Sequence, residues 1–445
     1  MPEFNLNPQA QVPKLKTLDE WLGYLERLHP QTIAMGLERV LRLKQALALE
    51  PGCPIIAVGG TNGKGSCCAM LEAILLHAGY RVGCYTSPHL LRYNERVRID
   101  GKEADDSVLC RALERVEAAR VARADGVLLT YFEFGTLAAM LAFAEAGIEA
   151  AILEVGLGGR LDAVNAFDAD CAVVSCVDLD HQGYLGDTRE LIGFEKAGIF
   201  RAGRPAICAD ADPPAALTAH AADIGAGLML INRDFGCEDG KIGWRYWGPG
   251  GTRPSLPYPA LHGTYQLTNA AACIAALDRL RELLPVTAQD IRGGMQQVRL
   301  TGRFEVLAGR PTVVLDVAHN PHAARALAAN LAAMPVSGDS LAVFAMLKDK
   351  DIAGVIDAVK SRISRWFVAT AEGPRGTNAR QLAEALRHSG VTAPVSQFEN
   401  VEDAWRAACN IAAENDKIVV FGSFLTVAAV LHERQRAGAD ATNAT

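Results

Sequence analysis

Pro54–Ser66 constrains what this chain can fold into more than any other stretch. The short apolar run Ile55–Val58 reads as a buried strand, and it empties into a turn holding Gly59, Gly60, Gly63, Gly65 and one lysine, Lys64. The apolar-periodic stretch Ala69–Leu76 that follows reads as a helix. A strand that turns through glycines into a helix brings its backbone close around a ligand and aims N–H groups and the helix N-terminus at one point, and Lys64 adds a full positive charge. That is a cradle for a nucleotide triphosphate. Its spacing is short: counting back from Gly63–Lys64, the first glycine of the long phosphate loop would fall at Val58, and Gly65 holds the usual Ser/Thr position. The plainer alternative is a glycine-rich βα turn with a solvated lysine, which the strand–loop–helix context disfavours.

Strand-like runs recur along the chain at Ala151–Val155, Cys171–Val177, Thr312–Val317, Leu341–Met346, Trp366–Thr370 and Ile418–Phe421. Alanine- and leucine-rich stretches such as Thr136–Ala144 and Ala323–Met334 separate them and suit helices. This alternation predicts an α/β fold with parallel sheets covered by helices on both faces. Between Arg204 and Gly263, prolines, glycines and the cluster Trp244–Trp247 break the rhythm, predicting a helix and then a small β subregion. A helix-like stretch ends near Thr301–Arg303 and a fresh β/α series begins there. The chain therefore reads as residues 1–300, a phosphate-loop ATPase domain with the small β subregion, and residues 301–445, a Rossmann-like α/β domain.

With 445 residues the chain has room for two cores, and 50% apolar with 21% charged residues is an ordinary globular balance. A net charge of −7 with no basic stretch argues against a nucleic-acid partner. Met1–Asn5 lacks the layout of a secretory signal, and no apolar run reaches the roughly 20 residues that span a bilayer. Eleven cysteines without C-x-x-C pairing read as reduced core thiols in a cytoplasmic protein.

Polar groups recur just after the strand-like runs. Glu154 ends one and precedes a glycine turn, His181 follows another, and Ser87 follows the strand Arg81–Tyr85. Ligands of α/β folds bind at the carboxyl ends of strands, and Mg²⁺ takes hard oxygen ligands while keeping water. Taken singly, Glu154 reads equally well as an ion-paired strand end, and His181 or Ser87 as a hydrogen-bonded loop residue. Their recurrence at strand ends with the glycine turn is the stronger signal.

Gly60–Ser66, Tyr85–His89, Leu129–Glu133, Glu154–Ala163, Asp180–His181, Glu195–Phe200, Asp316–Pro321 and Phe421–Phe424 occur in the order and form of the folylpolyglutamate synthase signatures. Over nearly the whole chain, from about Leu18 to Leu431, the sequence resembles that family, and within it the bifunctional dihydrofolate synthase/folylpolyglutamate synthase type, among the Mur ligases. The resemblance implies that Thr61, Asn62, Gly63, Lys64, Asn269, Arg303 and Asp316 bind ATP, and that Ser87, Glu154 and His181 hold magnesium. It further implies a catalytic set of Lys64, Glu154, His181 and Lys196, with Lys196 carbamylated. Gly36, Leu37, Thr130, Tyr131, Phe132, Glu133, Leu161, Asp162 and Ala163 would take the pterin, and His319 and Ser423 the incoming glutamate. Phe132 can stack on a flat heterocycle; Tyr131 and Phe132 as plain core residues are the alternative.

The chain departs from the family pattern at Ala34, where aspartate is usual, at Val164 for threonine and at Thr301 for proline. What the resemblance implies is a monomeric, cytoplasmic ATP-dependent ligase of folate biosynthesis, using two Mg²⁺ ions and K⁺. It joins L-glutamate to dihydropteroate and to folates, through an acyl phosphate. A folylpolyglutamate synthase without the dihydropteroate reaction, a phosphate-loop kinase and a nucleotide-binding module are the alternatives.

Overall fold

The computed structural model describes residues 12–31, 33–123, 127–263, 265–334 and 338–443; Met1–Asn5 lies outside them. The chain divides into two compact units, each discontinuous in sequence. One comprises Met1–Ser87, Tyr93–Tyr258 and Thr268–Gln297, the other Pro88–Arg92, Pro259–Leu267 and Val298–Thr445.

The first unit is built on β1 (Ile55–Gly59), β2 (Val82–Tyr85), β3 (Val97–Ile99), β4 (Lys102–Glu103), β5 (Ala150–Glu154), β6 (Cys171–Val174), β7 (Pro205–Cys208) and β8 (Gly227–Leu230). They form one eight-stranded sheet in the order β4-β3-β2-β5-β1-β6-β7-β8. Every pairing from β2 to β8 is parallel, and β3 and β4 add an antiparallel edge. Central strands β1, β5 and β6 are buried along their whole length. That is why their sequences read as continuous apolar runs without alternation. Ile55, Ala57, Leu153 and Val174 join a core that includes Trp21, Leu43, Val116 and Phe134 from helices on that face. Two of these helices start at reciprocal capping boxes, Thr17 with Glu20 and Thr130 with Glu133.

The region from Arg204 holds more regular structure than its composition suggests. β7, the helix Ala215–Asp223 and β8 extend the main sheet before the small subregion begins. That subregion is an antiparallel three-stranded sheet of β9 (Gly236–Glu238), β10 (Trp244–Gly248) and β11 (Gly251–Leu256). Trp244 donates from its indole to the Pro257 carbonyl at 2.9 Å, and Tyr246 donates to Asp278 at 2.9 Å.

The second unit carries β12 (Glu305–Leu307), β13 (Thr312–Leu315), β14 (Ser340–Phe344), β15 (Arg365–Ala369), β16 (Val395–Phe398) and β17 (Lys417–Phe421) in the order β12-β13-β17-β14-β15-β16. All pairings but the β12–β13 edge are parallel. Alternate residues serve opposite faces: Val314, Phe344, Val368 and Phe421 enter one core, while Val313, Val343, Phe367 and Val420 enter another. Both units are thus mixed α/β with helix-covered parallel sheets, as the alternation along the chain predicts. No described helix is long and apolar enough to cross a membrane.

Candidate active site

β2, β5, β1 and β6 are neighbours in the sheet and run parallel. Their carboxyl ends therefore lie along one edge, and that edge gathers Ser87, Glu154, the glycine turn and the segment leading to His181. The convergence expected from four strand ends is a consequence of strand order.

The turn after β1 needs its glycines. Gly60 sits at φ 138° and Gly63 at φ 88°, both in the left-handed region that side chains avoid. A Cβ on Gly60 would lie 2.0 Å from Ser175 Oγ, and one on Gly63 would lie 2.9 Å from Asn269 Oδ1. The neighbouring strand end holds the turn in place. Thr61 N donates to the Cys176 carbonyl at 2.8 Å, and Thr61 Oγ1 both accepts from Asp178 N and donates to the Asp178 carbonyl, each at 3.0 Å. Ser175 Oγ donates to the Asn62 carbonyl at 2.6 Å, and Asn62 N donates to Cys176 Sγ at 3.3 Å. Gly63 is the N-cap of the helix Lys64–His77 and offers no side chain to its first-turn N–H groups, which suits an anion there. Lys64 Nζ curls over the turn, donating to the carbonyls of Gly60 at 3.1 Å and Thr61 at 3.2 Å. Gly60→Ala should cost about 2–4 kcal/mol of stability through backbone strain and overpacking. Denaturant titration with and without ATP checks this, the variant showing a lower midpoint and no ATP-induced gain.

One strand over, Glu154 stands beside Val58 in register and is 3% exposed. Ser87 N donates to Glu154 Oε2 at 3.0 Å, joining two of the candidate metal ligands. His181 lies at φ 52°, an uncommon conformation for a side chain of its size. Asp180 Oδ1 accepts from its backbone N–H at 2.8 Å. Lys196, on the helix Arg189–Ala197, is buried. Burial first, then the Lys64 charge, holds its amine down at about 7, against the pull of Cys176 and Asp180.

The pterin candidates form a second group in the same unit. Phe132 packs so closely on Gly156 that a Cβ there would lie 2.7 Å from its ring, and Tyr85 lies 5.8 Å away, ring to ring. Tyr131 meets Tyr93 edge-on at 5.8 Å, with the Arg96 guanidinium 5.5 Å from both rings. Thr130 and Glu133 close the cap of the helix Tyr131–Ala146. Gly36 N donates to the Leu161 carbonyl at 3.4 Å, which brings Gly36 and Leu37 to Leu161–Ala163. Asp162 accepts from Leu157 N at 2.8 Å and Val164 N at 3.0 Å. Burial pushes its carboxyl up to about 7, opposed by those backbone donors.

In the second unit, Arg303 lies 4.9 Å over the Phe424 ring. Asp316 accepts from Ala318 N at 2.7 Å and Phe304 N at 3.0 Å, and burial pushes its carboxyl up to about 6 against those bonds and the Arg303 charge. His319 Nδ1 faces the Val317 carbonyl at 2.8 Å, so the ring proton sits on Nδ1. Ser423 is buried, its hydroxyl accepting from Thr426 N at 3.0 Å, so it closes the first turn of the last helix.

Three residues beside the candidate site carry no motif that marks them in the sequence. Cys176 touches the phosphate-loop candidate and Ser175 locks Gly60; both lie inside the strand-like run Cys171–Val177, and the strand ends before them, at Val174. Arg39, paired with Glu133, left only the weak signal of a charge beside the buried Val40.

The Mur ligase, glutamate ligase domain family matches residues 302–424. The dihydrofolate synthase/folylpolyglutamate synthase of Escherichia coli (strain K12) is 44% identical over 425 residues, covering 95% of this chain and 96% of its own length. The structure of E. coli FolC in complex with DHPP and ADP is similar at a TM-score of 0.88 and 44% identity, covering 95% of this chain and 98% of that one. A bifunctional folylpolyglutamate synthase/dihydrofolate synthase with Mn, AMPPNP and L-glutamate bound gives 0.87 and 44%, covering 96% of this chain and 100% of that one.

Proposed function

Since the chain belongs to the dihydrofolate synthase/folylpolyglutamate synthase family, we propose that it joins L-glutamate to dihydropteroate and to tetrahydrofolate polyglutamates with ATP. It is an ATP-dependent acid–amino-acid ligase. The observation that carries this reading is the single sheet edge where four parallel strands end in a phosphate-loop turn, a serine, a buried glutamate and the His181 segment.

We assign the triphosphate to Thr61–Lys64 and Asn269, with Arg303 and Asp316 as further ATP residues. The pterin falls to Gly36, Leu37, Thr130–Glu133 and Leu161–Ala163, and glutamate to His319 and Ser423. A substrate carboxylate oxygen attacks the γ-phosphorus and ADP leaves, giving an acyl phosphate. The neutral glutamate amine then attacks the acyl carbon, and the tetrahedral intermediate gives up an N–H proton and expels phosphate as the amide forms. No side-chain nucleophile is needed; the protein positions the reactants and offsets developing charge.

Among the described residues, no three His, Cys, Asp or Glu side chains form a ready metal cage. That fits Mg²⁺, which usually keeps several waters and takes one or two protein ligands plus substrate phosphates. Ser87, Glu154 and His181 would hold it, joined by Lys196 once carbamylated, and it would neutralise charge on the phosphates. Two Mg²⁺ ions, with K⁺ as a further cation, complete the assignment. Glu154→Gln should lower turnover by about 100-fold and raise the Mg²⁺ needed for half-maximal rate. A metal titration at saturating ATP checks both.

The chain operates as a monomer in the cytoplasm, where its eleven free thiols stay reduced. Incubation with ATP, Mg²⁺ and labelled L-glutamate, offered dihydropteroate or tetrahydrofolate in parallel, tests the function. Labelled product from both acceptors is expected. Product from tetrahydrofolate alone would reduce the enzyme to a folylpolyglutamate synthase, and ADP release independent of glutamate would make it a kinase.

A further inference from the structure

One guanidinium ties together segments that are far apart in sequence. Arg39 lies in the first turn of the helix Glu38–Ala46. Its Nε donates to both carboxylate oxygens of Glu133, at 3.0 and 3.2 Å, and its Nη2 donates to Glu133 Oε1 at 2.7 Å. The same Nη2 donates to the Ala34 carbonyl at 2.6 Å. The side chains are 24% and 5% exposed, so the pair is largely out of water. Glu133 is engaged on its other side too, where Oε2 accepts from Thr130 N at 2.7 Å.

We propose that Arg39 is the positioning residue of the pterin pocket, holding residues 34–37 against the start of the helix Tyr131–Ala146 so that both face Leu161–Ala163. The proposal rests on the assignment of the pterin to these segments. Arg39 closes one seam of the pocket, and the bond from Gly36 N to the Leu161 carbonyl closes the other. Gly36 is fitted to that path: it sits at φ 146°, and a Cβ there would lie 3.0 Å from Glu38 Oε2. Glu133 then acts through Arg39 and the helix cap. Its carboxylate is already held by four donated bonds, three from Arg39 and one from Thr130.

Only an arginine suits this place. Its planar fork reaches a carboxylate and a carbonyl in different directions at once, whereas a lysine offers a compact point charge. Removing one partner of such a buried pair leaves the other desolvated. Because the pterin ring is common to both acceptors, loosening the seam raises KM for dihydropteroate and tetrahydrofolate together. It leaves ATP and glutamate alone.

Arg39→Met and Arg39→Lys, assayed by steady-state kinetics in all four substrates, test this. KM for both pterins should rise about tenfold or more in Arg39→Met, a loss of roughly 1.4 kcal/mol. In Arg39→Lys the rise should be smaller. KM for ATP and glutamate should stay within about twofold, and the lysine variant partly restores pterin affinity without restoring the fork. Unchanged pterin KM, or a parallel fall in every parameter with melting temperature, would make Arg39 a plain structural staple and overturn the proposal. If the methionine variant fails to fold, Arg39→Lys and Glu133→Gln carry the same comparison. Hydrogen exchange of the wild-type protein with and without dihydropteroate separates the two layers. Protection away from residues 34–37, 130–133 and 161–163 overturns the pocket assignment and Arg39 with it. Protection there with unmoved KM in the variants overturns Arg39 alone.

Discussion

Replacing Lys64 by alanine should lower glutamate-dependent ADP release on the order of a thousandfold or more, while the melting temperature changes little. The ammonium, itself partly exposed, now donates to the carbonyls of buried Gly60 and half-buried Thr61. The turn is already held through Thr61, Asn62 and Ser175, so the fold does not depend on the ammonium. A triphosphate would draw the ammonium away from the carbonyls and take its charge. A second effect acts in the same direction. The Lys64 charge is the second cause, after burial, that keeps the Lys196 amine low, so its loss lets Lys196 protonate more readily. Near-normal turnover in Lys64→Ala would remove the phosphate-loop assignment.

Lys196→Ala should cost about 100-fold in turnover, the effect expected when a ligand-shell group is lost. The wild-type enzyme should show pH-dependent carbamylation. Only a neutral amine attacks CO₂, and burial holds this one at about 7. Above that value it is free to react; below it, each pH unit removes about nine-tenths of the remaining neutral form. With ¹³C-bicarbonate, a carbamate resonance should be strong at pH 8, fall through pH 7 and be nearly absent at pH 6. It should be missing from Lys196→Ala at every pH. The unmodified protein has a matching stability signature. An unfolded lysine keeps its proton up to about 10.5, so between about 7 and that value the folded state binds fewer protons and stability rises with pH. The penalty of burying the charged amine is complete below about 7. A flat stability curve across this range, with no resonance, would place Lys196 in contact with water.

Much of the candidate site is legible because its determinants are local. Glycines that must reach φ 138° and 88° mark the turn, and a polar residue directly after a buried apolar strand marks a sheet edge. What sequence could not reveal is which strands become neighbours. That β1 lies between β5 and β6 is set by crossovers whose helices carry no record of strand order. The same blindness hid Arg39, whose partner lies 94 residues away, and Cys176, whose role depends on β6 lying next to β1. β7 and β8 leave only weak strand signals because Pro205 and Gly227 open them. Glu133, Thr130 and Ser423 show the reverse: motif residues whose side-chain oxygens close helix caps in this structure.

The phosphate-loop turn borrows its shape from the adjoining strand end, through Ser175, Cys176 and Asp178. Val177 among them is itself gripped on both sides, its N–H by Asp210 at 2.7 Å and its carbonyl by Arg189 at 3.0 Å. If the turn takes the nucleotide as proposed, anyone re-engineering this enzyme for a new one should treat Ser175–Asp178 as part of the turn's support. A harmless-looking change there would propagate into the turn, whereas altering distant helix surfaces would leave it at rest.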